Sequence, residues 1–134
     1  MLFNFSEELR RDYRLDFGGI DAVLEDFENF ITGRFSVSVF CRALQCFCEC
    51  VLIAMECGNE NEPDRRISVW VRCTEEGSRF SVQDERGFRG VREPRSDENS
   101  ILSRIRGLGF FLIKKLANRV KIVENKNMII CDIY

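Results

Sequence analysis

Hydrophobic positions follow two periods along this chain. Ile20, Val23, Leu24, Phe27, Phe30 and Ile31 recur three and four residues apart, the spacing of one helix face, and Gly33 stands where that helix would stop. Ser36 or Ser38 is placed to cap a second helix that runs to about Cys57, with Gly58 and Asn59 as its stop. Most of that helix is apolar around its circumference, which predicts a place between layers. Ile67, Val69 and Val71 instead alternate with Ser68, Trp70 and Arg72, giving a half-buried strand with Trp70 facing outward or towards a partner. A turn at 75–77 leads to a second hairpin arm over 79–83, with Phe80 and Val82 on one side. Residues 107–119 return to helix, with Leu108, Phe111, Leu112, Lys115 and Leu116 on one broad side, and 120–123 and 128–133 close the chain as a hairpin. Near the start, Ser6 is placed to cap a short helix over 6–9, and 13–17 alternate as a short strand.

The order strand, helix, helix, hairpin, loop, helix, hairpin predicts an α+β fold. Its form is a two-layer α/β sandwich with helices on one face of a mixed, mostly antiparallel sheet. A length of 134 residues fits one domain over 1–134, with 1–12 as an N-terminal extension. From Asp84 to about Arg106 the pattern dissolves into Gly, Pro, Ser and charge, a connection longer than ordinary loops and of the kind that carries function.

Composition removes several kinds of chemistry. The chain has seven cysteines and no histidine, so a Ser-His-Asp triad, a Cys-His dyad and a His-containing zinc site are excluded. Five of the cysteines lie between Cys41 and Cys57 in the apolar helix, where they read as small packing groups in a reducing, cytoplasmic setting. A formal charge of −2 argues against direct nucleic-acid binding. Arg42, Glu49 and Glu56 interrupt the apolar run, so it predicts a core helix and no membrane partner.

Charge is unevenly spread. Residues 86–106 hold six arginines against Glu93, Asp97 and Glu98, a local excess of three positive charges that suits a polyphosphate. Beside this stretch Gly107 and Gly109 precede the last helix. Glycines there let backbone approach a phosphate closely, and a helix N-terminus offers unpaired N–H groups.

Three segments then stand in a telling order: Glu49 to Asn59 ending the second helix, Asp84-Glu-Arg-Gly-Phe88 leaving a strand, and Arg106-Gly-Leu-Gly-Phe110 entering the last helix. With the turn Asn59-x-x-x-Pro63-Asp64, they resemble the boxes of the GHKL, or histidine-kinase-like, ATPase superfamily, and most of all its small anti-sigma-factor serine kinases. The resemblance covers about residues 13–134. It implies a Bergerat-type ATP-binding fold, ATP or ADP as ligand, an ATP lid over 85–106, and a cytoplasmic partner-switching role with a sigma factor or an antagonist protein as partner. It also implies a homodimer. Asp84 would accept the adenine amino hydrogen bond, and Gly87, Arg104, Arg106, Gly107, Leu108 and Gly109 would line the nucleotide. Glu49 would be the general base.

The chain departs from that pattern in two places. Arg86 replaces the first glycine of the Asp box, whose spacing is one residue short. The asparagine that would hold Mg²⁺ is Ile53, which offers no oxygen ligand, and Leu52 precedes it where a polar residue is common. Phosphoryl transfer depends on metal neutralisation of developing charge. The expectation is therefore a regulatory ATP-binding protein with weak or lost serine-kinase activity; a nucleotide-free interaction module is the alternative.

Overall fold

The computed structural model describes residues 7–14, 19–57, 66–84, 101–123, 126 and 128–134. Its elements run β1 (Glu7–Arg14), α1 (Gly19–Ile31), α2 (Val37–Cys57), β2 (Arg66–Cys73), β3 (Ser78–Asp84), α3 (Ile101–Leu116), β4 (Arg119–Val123) and β5 (Met128–Ile133). All neighbouring strands pair antiparallel in the order β1-β2-β3-β5-β4, so the sheet, expected to be mixed and mostly antiparallel, is antiparallel throughout among the described residues. The three helices lie on one face of it.

The two periods read from the sequence are those of the core. Val23, Phe27 and Ile31 are the buried stripe of α1, and Ile67, Val69, Val71, Phe80 and Val82 point inward from β2 and β3. Phe27 and Phe47 stack with centroids 3.8 Å apart, and Phe80 meets both edge-on at 5.4 and 5.5 Å, joining α1, α2 and β3 in one aromatic cluster. Gly33 takes a φ of 78°, the left-handed conformation that ends α1. The Val39 amide donates to Ser36 Oγ at 3.3 Å, so Ser36 is the cap of α2. The stretch Val37–Ala54 is long and apolar enough to cross a membrane by length and composition alone, but here it is the central core helix, with Ala43, Cys46, Phe47, Cys50 and Val51 all at 0% exposure.

Three sequence expectations need correction. Residues 7–9, expected in a short helix, belong instead to β1, which pairs with β2 from Glu7↔Cys73 to Arg14↔Arg66. Helix α3 starts at Ile101, so the long loop ends earlier than 106 and Gly107 to Gly109 lie inside the helix, not ahead of it. The broad side of α3 formed by Leu108 and Phe111 is its exposed one, at 59% and 54%; Gly109, Phe110 and Ile113 are buried instead.

Pairing register lines up whole rows on the other face of the sheet. One row is Arg10, Trp70, Ser81, Ile130 and Lys121; its neighbours are Asp12, Ser68, Gln83, Met128 and Val123 on one side and Glu8, Arg72, Arg79, Asp132 and Arg119 on the other.

Candidate functional site

The site implied by the sequence has two halves, one at the end of β3 and one where α2 meets α3. Asp84 is the last residue of β3 and is only 2% exposed. The sheet explains its placement. Strand alternation turns Phe80, Val82 and Asp84 to the same side, so the carboxylate enters the helix-covered layer at the strand's end. A buried carboxylate acceptor among apolar neighbours is the kind of fixed polar group that orients a heterocyclic amine.

The other half is built by helix crossing. Arg42, earlier read only as a break in the apolar run, reaches across to α3 and donates to the Leu116 carbonyl at 3.2 Å, with its second terminal nitrogen on the Tyr134 carbonyl at 2.8 Å. One turn further along α2, the Cys46 thiol donates to the Ile113 carbonyl at 3.6 Å. Another turn brings Glu49 and Ile53 to Gly109. A Cβ placed on Gly109 would lie 2.9 Å from Oε2 of Glu49 and 3.7 and 3.8 Å from the Ile53 side chain. The helices therefore run antiparallel and close together, and the missing side chain of Gly109 is what lets the half-buried Glu49 carboxylate rest there.

Two of the predicted site residues, Glu49 and Gly109, are thus brought together, with Ile53 beside them at 1% exposure. Leu108 points away, largely exposed. Arg104, Arg106 and Gly107 fall in the first half of α3, and Gly87 lies outside the described residues.

The residues present fit one half of a magnesium nucleotide and not the other. Asp84 is a buried carboxylate of the kind the resemblance assigns to an adenine amino group. At the α2–α3 crossing, Ile53 has no oxygen to give Mg²⁺. The amides of Gly107 and Gly109 sit in helix interior, where i to i−4 bonding engages them, so they are not the free N–H groups of a helix start.

An antiparallel sheet covered on one face by three helices, with a carboxylate at the end of an inner strand and a Glu-bearing helix against a glycine-bearing one, defines a GHKL-type ATPase sandwich. The family described as "Histidine kinase-like ATPase domain" matches residues 36–132, and the chain belongs to it. Membership implies nucleotide binding. Among solved structures, the chain is similar to the crystal structure of the RsbU and RsbW domains of Rv1364c from Mycobacterium tuberculosis. That match has a TM-score of 0.64 and 15% identity, and covers 95% of this chain and 31% of that one. At this identity the likeness carries the fold alone. No curated protein matches.

Proposed function

We propose that this protein is a regulatory ATP-binding protein of the anti-sigma-factor kinase type, acting by partner switching in the cytoplasm, with its phosphoryl-transfer activity weakened or lost. The observation that carries this reading is the contrast at one site: Asp84 is kept and buried, whereas Ile53 is packed against Gly109 at the position of the Mg²⁺ ligand. Binding of adenine needs the first; transfer of a phosphoryl group needs an oxygen ligand in place of the second. Glu49 remains as a carboxylate without a metal ligand four residues on. The similarity to a structure that includes an RsbW domain supports a sigma factor, or a protein antagonist of such regulation, as partner.

Calorimetric titration with ATP and with ADP, each with and without Mg²⁺, tests the reading. The expected result is nucleotide binding that Mg²⁺ does not strengthen, together with no transfer of phosphate to a protein serine. Binding that requires Mg²⁺ would show an intact kinase site. The helical placement of Gly107 and Gly109 favours a second reading, a nucleotide-free interaction module of the same fold; absence of binding at millimolar ATP would select it.

A further inference from the structure

The face of the sheet opposite the helices is polarised in a way that the nucleotide reading does not use. Among the described residues seven cations occupy it: Arg10, Arg72, Arg79, Arg119 and Lys121 from the rows above, and Arg14 opposite Arg66. Against them stand Glu8, Asp12 and Asp132, leaving an excess of four positive charges on one face of a chain whose formal charge is −2.

At the centre is an apolar groove. Half-buried Trp70, Ile130 and Met128, together with Arg10, Arg79 and Ser81, border a depression of about 630 Å³. The polar frame is ordered by its own pairs. Asp132 accepts from Arg79 Nε at 2.6 Å and Nη2 at 3.0 Å, and Asp12 accepts from Ser68 at 2.7 Å. Trp70 Nε1 donates to Glu8 at 3.4 Å, while the Arg10 guanidinium lies 5.7 Å from the indole centroid.

We infer that this open sheet face is a docking surface for an acidic, apolar-centred face of a protein partner. Trp, Arg and Met around an apolar middle, with charge at the rim, is the composition of protein interfaces, where Lys is depleted; six of the seven cations here are Arg. Charge complementarity selects an acidic occupant. A nucleic acid fits less well, because Arg10 already covers the ring that a base would stack on and three carboxylates lie within the face. A second copy would set two like-charged faces together. The inference deepens the partner-switching reading by giving the partner's chemistry and its place. It concerns the side of the sheet away from Asp84, so a failed nucleotide titration leaves it standing.

Trp70 is the only tryptophan in the chain, so intrinsic fluorescence reads this face directly. The full-length protein is titrated with a short peptide alternating Glu and Leu, with the same peptide carrying Lys for Glu, and with single-stranded oligothymidylate. The expected result is a saturable change in Trp70 emission with the acidic peptide alone. Its affinity should fall about tenfold at about 0.5 M salt and at least about tenfold in the double variant Arg72→Glu, Lys121→Glu. Circular dichroism confirms that the variant is folded. Equal binding of the lysine peptide, binding of the oligonucleotide in place of the acidic peptide, a change in emission with protein concentration alone, or no change at all would each overturn the inference.

Discussion

The end of β3 and the crossing of α2 with α3 are two halves of one expected site, and they have been treated differently. At the strand end the Asp84 carboxylate lies buried in the layer between sheet and helices, at 2% exposure. At the helix crossing Ile53 is packed at 1% exposure where the resemblance implied an oxygen ligand, and Gly107 and Gly109 are wound into α3. On the reading proposed above, binding the base and moving the phosphate would be separable in this fold, the first resting on the sheet and the second on one helix face and on where the next helix begins.

That contrast can be broken most forcefully at Ile53. Ile53→Asn puts an amide into a fully buried apolar contact, and urea denaturation should show a loss of about 3 kcal/mol. A loss below about 1 kcal/mol would mean that the crossing is open enough to hydrate the amide, and that the two halves differ less than the packing implies. At the other end, Asp84→Ala should weaken ATP binding by about tenfold to a hundredfold, equally with and without Mg²⁺. An effect seen only with Mg²⁺ would place Asp84 on the metal side.

A smaller effect is expected at Gly109. Alanine gains about 1 kcal/mol of helix propensity, but its Cβ requires the Glu49 carboxylate to move from a 2.9 Å approach. Glu49 ends a flexible side chain, so thermal denaturation should place Gly109→Ala within about 1 kcal/mol of the parent. A much larger loss would show that the helices, and not only the carboxylate, are held by this contact.

The smallest effect lies away from both halves, where β1 meets α1. Tyr13 donates to Asp26 at 2.9 Å, and burial together with that carboxylate pushes the phenol up to about 12. Because the folded pKa lies above the ordinary value of 10, this contribution is intact below pH 10 and is lost as the pH rises from 10 through 12. Stability followed over that window should fall less steeply in Tyr13→Phe.

How far the sequence carried depends on whether a segment's own pattern or its neighbours decided its form. Helix α1 and strand β2 present unmixed periods, and their inward residues are the ones the spacing names. β1 does not: Leu9 and Tyr13 are four apart amid charge, a helical spacing, and only pairing with β2 makes the segment a strand. The start of α3 was hidden for a related reason. Gly107 and Gly109 resemble a lead-in turn, yet the helix runs through them because Gly109 meets α2 closely. The sequence singles out Glu49, Asp84 and Ile53, and the structure buries Asp84 and Ile53 and sets Glu49 against Gly109. The closeness of Glu49 to Gly109 and the cross-link made by Arg42 were not legible, since both arise from how two distant helices pack. The polarised sheet face needed the strand order and register, which no single strand reveals.

The placement of the thiols makes the chain its own clock for opening. Cys41 is exposed and Cys48 half-buried, while Cys46, Cys50, Cys73 and Cys131 are buried. The neighbouring Cys131 thiol and burial both hold the Cys46 thiol protonated, and burial pushes Cys73 up to about 11. A thiol-specific reagent should therefore label Cys41 at once and the buried four only during transient exposure, each tenfold of slowing corresponding to about 1.4 kcal/mol of opening free energy. Because the protected thiols sit on α2, β2 and β5, the order in which they are labelled would tell whether the helical layer lifts from the sheet before the sheet itself comes apart.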